Sequence, residues 1–269
     1  MRQNEAVGGQ ALCLTCQPVN RTSIIDSIAD KREPGRLLRR HGREIPRRCG
    51  WAWRWAASIG AACLLAGSLA IAQFSGFTDD FLDFIKDEYG GRARSTMEDW
   101  EELVHDSRGI VERDKLEDIN LFFNKRIWFV EDRSHWGRDD YWATPMETMA
   151  TLGGDCEDFV IAKYFTLREA GVPDERMRLT YVRSTLVDQP HMVLVYYATP
   201  DAEPLVLDNL MDAIRPASRR RDLTPVYSFN GRSLWRAKEF GQGREAGSAG
   251  SVNLWADVIR RMRAENFPY

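Results

Sequence analysis

The sequence predicts an α+β fold, with a helix packed on an antiparallel sheet. Two observations predict it. Up to Gly171 the apolar residues recur at helical spacing, and after Pro173 the period changes to short β-rich runs. A third observation bounds it: the 269 residues are 43% hydrophobic, with 9 Trp and 12 Phe. That is enough to bury a core, and it excludes wholesale disorder.

The helices come first. Thr78 caps a run carrying Phe81, Leu82, Ile85 and Tyr89, which Gly90-Gly91 ends. Ser95 and Glu98 have the spacing of a capping box, ahead of Trp100, Leu103 and Val104. Leu116, Ile119, Phe122 and Phe123 mark a third helical face. A polar, aromatic loop follows from Glu131 to Thr144, with His135, Trp136, Tyr141 and Trp142. Its composition is that of an interface anchor; the alternative is that Trp136 and Trp142 are core. Pro145 starts a helical stretch that Gly153-Gly154 stops. Cys156 opens the next helix, with Phe159, Ala162, Phe165 and Ala170 on shared faces.

The strands are Leu179 to Val182, His191 to Tyr197, Leu205 to Leu207, Val226 to Phe229 and Ser233 to Trp235. Asn230-Gly231 between the last two is a hairpin signal. Gly241 to Ser251 is dominated by glycine and serine and reads as a flexible linker, with a short helix over Leu254 to Met262. The expected organisation is therefore a basic N-terminus with a signal or anchor over 1–72, a domain over 73–240, and a linker with a C-terminal helix over 241–269.

The net charge of −3 hides an asymmetry. Residues 1–72 hold 11 basic and 5 acidic residues, leaving 26 basic and 35 acidic, out of totals of 37 and 40, for 73–269. The second part has no bulk positive charge to neutralise phosphates, which argues against nucleic acid as a partner. Nine Lys or Arg lie between Lys31 and Arg54, and no charge lies between Trp55 and Thr78. A basic flank before an apolar segment is an export pattern, and Ala70-Ile71-Ala72 offers the small residues that signal peptidase reads. The segment is either cleaved after Ala72 or kept as an inner-membrane anchor through residues 55–78; the rest of the chain is exported in both cases. Four of the five cysteines, Cys13, Cys16, Cys49 and Cys63, precede residue 73. That leaves Cys156 without an internal partner and excludes a disulfide scaffold. Cys13-x-x-Cys16 lacks a second ligand pair and is read as incidental.

A free thiol in an oxidising compartment needs a reason. Cys156 stands at the first turn of its helix, where unpaired N–H groups and the helix dipole favour a thiolate. His191 lies on the next strongly apolar strand, and Asp208 follows the strand after that. A nucleophile, a base and an orienting carboxylate in this arrangement make a thiol triad. The Cys156 N–H is a candidate oxyanion donor, with a second expected from the Trp136 to Trp142 loop. The neighbours Asp155, Glu157 and Asp158 oppose a thiolate unless a hard cation neutralises them, and Ca²⁺ suits such a cluster. Backbone carbonyls near Asp174 to Met177 could complete the ligand set.

Five blocks in order carry a specific resemblance: Trp142-Ala-Thr-Pro-Met-Glu, Gly154-Asp-Cys-Glu-Asp-Phe, Ile161-Ala-Lys-Tyr, His191-Met-Val-Leu and Leu205-Val-Leu-Asp-Asn. They resemble the LapG-type family of bacterial transglutaminase-like cysteine proteinases, over Asp114 to Trp235. The resemblance implies a papain- and transglutaminase-like fold and a catalytic trio at Cys156, His191 and Asp208. It implies Ca²⁺ at the acidic stretch Asp155, Glu157 and Asp158. It implies a periplasmic protease that cuts the N-terminal region of a large RTX-type surface adhesin at a paired-alanine site, which disperses a biofilm. It also implies inhibition by the periplasmic domain of an inner-membrane cyclic-di-GMP receptor. Two other readings use the same residues: a transglutaminase-type acyl transferase, and a non-catalytic binding module.

Overall fold

The computed structural model describes residues 76–238, 241–265 and 267. The basic N-terminus, the apolar segment before Ala72, and Cys13, Cys16, Cys49 and Cys63 lie outside them. Among the described residues no helix is long and apolar enough to cross a membrane.

Three helices open the fold: α1 (Asp79–Tyr89), α2 (Gly91–Ser107) and α3 (Glu112–Arg126). Thr78 caps α1, its hydroxyl accepting from the Phe81 N–H, and Leu82 and Ile85 face inward. The capping box expected at Ser95 and Glu98 is not a helix start. The chain turns at Gly90 (φ +93°), so α2 begins at Gly91 and carries both residues inside it. Glu98 instead accepts from the Arg94 guanidinium one turn back. A two-residue strand β1 (Trp128–Phe129), the turn α4 (Asp132–His135) and α5 (Pro145–Thr151) follow. Thr144 and Glu147 form the capping box of α5. Leu152 ends that helix in the left-handed region, and Gly153–Gly154 forms β2, parallel to β1.

Helix α6 (Cys156–Glu169) is the axis of the domain. Its apolar residues Phe159, Val160, Ile161, Ala162, Tyr164, Phe165 and Leu167 are all buried. A helix that is apolar nearly all round needs cover on every side. Here α3 and α5 cover one side, and β3 and β4 the other.

The sheet has seven strands in the order β6-β5-β4-β3-β7-β8-β9, all antiparallel. They are β3 (Met177–Ser184), β4 (Gln189–Tyr196), β5 (Leu205–Leu207), β6 (Arg215–Pro216), β7 (Leu223–Phe229), β8 (Ser233–Lys238) and β9 (Gly241–Ser248). Strand alternation splits the apolar residues between two faces. Leu179, Met192, Leu194, Leu207 and Phe229 join the helical core, whereas Val182, Val193, Val195, Val206 and Leu223 form a smaller cluster. The hairpin at Asn230-Gly231 is present, but Gly231 has no positive φ. The Asn230 side chain makes the turn by accepting from the Arg232 and Ser233 N–H groups.

The linker expected at Gly241 to Ser251 is instead strand β9 and a 3-10 turn, Ala249–Ser251. A ladder needs only backbone groups, so glycine does not prevent it. Gly243, at φ +61°, stands where a Cβ would strike the Arg236 carbonyl. The expected C-terminal helix is α7 (Asn253–Glu265), and it is part of the core. Trp255 stacks on Phe165 with ring centroids 5.5 Å apart and meets Phe229 edge-on at 5.3 Å. Residues 241–265 thus belong to the same domain as the helices and strands before them.

Candidate active site

Asp155 is the N-cap of α6 and shares a capping box with Asp158, so the helix start is pinned by two carboxylates on either side of Cys156. The Gly154 backbone permits this: a Cβ there would meet the Asp158 side chain, 3.0 Å from its carboxyl carbon. Cys156 is buried at the helix tip and is the free cysteine among the described residues. The Met192 N–H, next in sequence to His191, points at its sulfur.

The structure brings His191 and Asp208 together. His191 Nε2 meets Asp208 Oδ1 at 2.8 Å, with both side chains buried. That engagement leaves Nδ1 as the ring nitrogen available to a thiol. Asp208 Oδ1 also accepts the Leu210 N–H at 3.0 Å, and Oδ2 accepts Arg220 Nη2 at 2.6 Å. Burial works against the Asp208 charge, but His191, Leu210 and Arg220 together hold its pKa at about 2. The third expected member is oriented differently: the Cys156 thiol donates to Glu157 Oε2 at 2.8 Å rather than to His191. Burial, then the Glu157 charge and hydrogen bond, then Asp155, push this thiol well above its ordinary pKa; the Met192 N–H opposes them.

The expected metal residues fall into two overlapping groups. Ligand atoms of Asp155, Cys156 and Glu157 lie within 4.8 Å of one another, as do those of Asp132, Asp155 and Asp158. Asp132, from α4, was not singled out by the sequence; it comes in from 23 residues before Asp155, and only folding shows it. Asp158 Oδ1 accepts the Ala143 N–H at 2.6 Å and Oδ2 the Asp155 N–H at 3.3 Å, which favours a carboxylate; burial opposes it and raises the pKa. Asp155 is pushed up to about 10 by burial, then by Glu157, Asp158 and Asp132. Its Oδ1 is buried without a hydrogen-bond partner. An orphaned buried carboxylate oxygen among three other acids fits a hard, oxygen-binding cation. The carbonyls expected from Asp174 to Met177 do not reach this group. That segment follows the far end of α6, a helix of 14 residues and so about 20 Å long. Asp174 there accepts from Tyr164 and Gly231.

The Trp136 to Trp142 loop divides as well. Trp142 is core, stacked on Phe229 at 5.7 Å, while Trp136 is half-buried against His135 and Tyr141. The backbone N–H groups of Tyr141, Ala143 and Thr144 already serve Asp132, Asp158 and Glu147. The Trp142 indole N–H is buried and bonds the Asp140 carboxyl group, opposing the rise in its pKa that burial and the Glu157 charge cause.

Sequence reasoning missed what lies beneath Asp208. Asn124 Nδ2 donates to the Asp208 carbonyl at 2.9 Å. Lys163, wholly buried on α6, donates to Asn120 and Asn124 at 2.8 and 2.7 Å. Burial lowers the Lys163 pKa to about 7, against the pull of Asp208 and Asp212.

The family model of the bacterial transglutaminase-like cysteine proteinases matches residues 92–224. Among solved structures, Legionella pneumophila LapG is similar at 39% identity and TM-score 0.59, covering 70% of this chain and 98% of that one. Its EGTA-treated form matches at 39% and 0.60 over 70% and 98% of the two chains. Its calcium-bound form matches at 39% and 0.59 over 69% and 99%. No curated protein matches significantly.

Proposed function

The chain belongs to the bacterial transglutaminase-like cysteine proteinases, and from that premise we propose a Ca²⁺-dependent endopeptidase of the periplasm. Its substrate is the N-terminal region of a large RTX-type surface adhesin, cut at a paired-alanine site, and the outcome is biofilm release. The periplasmic domain of a cyclic-di-GMP receptor restrains it. The single observation that carries the chemistry is the buried His191–Asp208 pair at 2.8 Å, on the strand whose next N–H points at the Cys156 sulfur.

In the proposed reaction Cys156 gives its proton to His191 Nδ1, and the sulfur attacks the scissile carbonyl. Asp208 accepts the Nε2–H bond, holds the tautomer and stabilises the imidazolium. The Cys156 N–H is the donor for the oxyanion. His191 then protonates the leaving amine, and water, deprotonated by the same ring, resolves the thioester. Asp155, Glu157, Asp158 and Asp132 would hold a hard cation. When bound, it would neutralise the carboxylates that now keep the thiol protonated. Glu157 is the residue that links the two sites, because the carboxylate that receives the thiol hydrogen bond is also a candidate ligand.

The test is cleavage of a purified adhesin N-terminal region by the wild-type chain and by Cys156→Ala. The alanine variant is expected to lose cleavage entirely and keep its melting temperature, since the site is a helix tip. Cleavage at a comparable rate would place the nucleophile elsewhere.

A further inference from the structure

We propose that Arg220 is a positioning residue of the reaction: it fixes which oxygen of Asp208 faces His191. This rests on the proteinase reading above, in which His191 is the base.

Asp208 is 1% exposed, so neither of its oxygens can rely on bulk water. Oδ1 takes two donors, His191 Nε2 at 2.8 Å and the Leu210 N–H at 3.0 Å. Oδ2 takes Arg220 Nη2 at 2.6 Å. The guanidinium is itself 1% exposed and is gripped from the other side by Asp222. Nε lies 3.1 Å from Asp222 Oδ1, and Nη2 lies 2.8 Å from Oδ2. A planar fork held on one carboxylate presents its remaining hydrogen to the next in a fixed direction. The backbone supports the same placement: Arg220 N donates to Ala217 O at 2.9 Å, and Leu223 N to Arg220 O at 3.1 Å. The result is a buried chain, His191–Asp208–Arg220–Asp222, that ends at a carboxylate closer to solvent.

Without the cation, Oδ2 would be a buried acceptor with no partner. The carboxyl group would then be free to rotate and offer either oxygen to His191, or to take a proton and lose its hold on the imidazole. Asp222 alone would satisfy a merely structural Arg220, since it binds the guanidinium at two atoms. The bond to Asp208 is what ties the arginine to the triad. Arg219 and Arg221, its sequence neighbours, are both exposed and make no such contact.

The experiment uses the full-length chain, ¹⁵N-labelled at its 4 histidines. The His191 Nε2 proton, hydrogen-bonded to a carboxylate, is expected as a downfield proton resonance, assigned by its loss in His191→Gln. In Arg220→Met that resonance is expected to disappear or move upfield, and kcat on the adhesin region to fall by about 10- to 100-fold, the scale of a misplaced catalytic group. KM should stay within about twofold, because Arg220 does not touch substrate. Arg220→Lys keeps a cation but cannot serve both carboxylates as a fork; it should fold, retain a weakened resonance and recover part of kcat. If Arg220→Met does not fold, Arg220→Lys carries the test. An unshifted resonance with kcat within twofold in Lys or Met overturns the proposal, even if the melting temperature drops. If the wild-type chain cuts no adhesin but the resonance still responds to Arg220, positioning stands and the substrate reading fails.

Discussion

Replacing Arg261 with methionine tests whether the last helix holds the site together. The Arg261 side chain is 5% exposed. Its Nη1 pairs with Glu147, its Nη2 meets the Trp142 carbonyl, and its Nε donates to Asp257 at 2.8 Å. Methionine matches the stem and removes every one of these bonds. Glu147 then keeps the Thr144 N–H at 2.9 Å and the Tyr141 hydroxyl at 2.8 Å, but it loses its counter-ion. Removing one partner of a buried pair costs about 3–5 kcal/mol. The two surviving hydrogen bonds argue for the low end, about 3 kcal/mol, with the stranded Trp142 carbonyl already counted within it. In a domain of this size each kcal/mol shifts the melting temperature by about 2–4 °C, so the loss should be about 6–12 °C. The assay is thermal denaturation followed by circular dichroism at pH 7. Arg260→Met is the control: its side chain is 70% exposed and pairs with the same Asp257, a contact expected to be worth at most about 1 kcal/mol. If Arg261→Met melts within 2 °C of wild type, the buried pair contributes nothing and the argument fails.

Two further outcomes follow from the same network and from the acidic cluster. Burial, then Glu147, raises the Glu265 pKa to about 8, while Thr144 and Arg261 oppose the shift. A carboxyl group raised in the fold contributes stability below its unfolded value of 4.5, and that contribution is lost as pH rises through about 8. Glu265→Gln should therefore flatten the decline in melting temperature between pH 5 and 8; an unchanged slope would exclude Glu265 as its source. Chelation should lower both activity and melting temperature, with Ca²⁺ restoring both and Mg²⁺ doing so poorly, because Mg²⁺ demands tighter octahedral geometry. Calorimetry that detects no Ca²⁺ binding to the wild-type chain would end the metal reading and leave the triad untouched.

Much of this architecture is written locally. Helix α6 is legible because Gly153-Gly154 breaks the chain before it and Phe159, Ala162 and Phe165 recur at helical spacing after it. The short strands around His191 and Asp208 are legible because β-rich runs alternate with turn residues, and those runs put His191 on one strand and Asp208 just past the end of its neighbour. The candidate trio follows from residue types placed on and beside predicted elements, whereas the linker expectation failed for want of a tertiary signal. Glycine-rich composition reports chain freedom, but it does not report whether a neighbouring strand edge, here β8, is waiting to be paired.

Partner choice is where the tertiary structure decides. Arg219, Arg220 and Arg221 are identical in sequence terms, and folding buries only the middle one, against Asp208. Asp132 is an ordinary acid at the start of a loop until α4 packs beside β2 and brings it to Asp155 and Asp158. Cys156 sits at the helix tip that its sequence predicts, yet its thiol donates to Glu157, its neighbour in the chain, and not to His191. Periodicity is carried by bonds between near neighbours and survives in one dimension. The ionisation and pairing of a polar side chain depend on which groups from distant segments close around it, and those are specified only when the chain has folded.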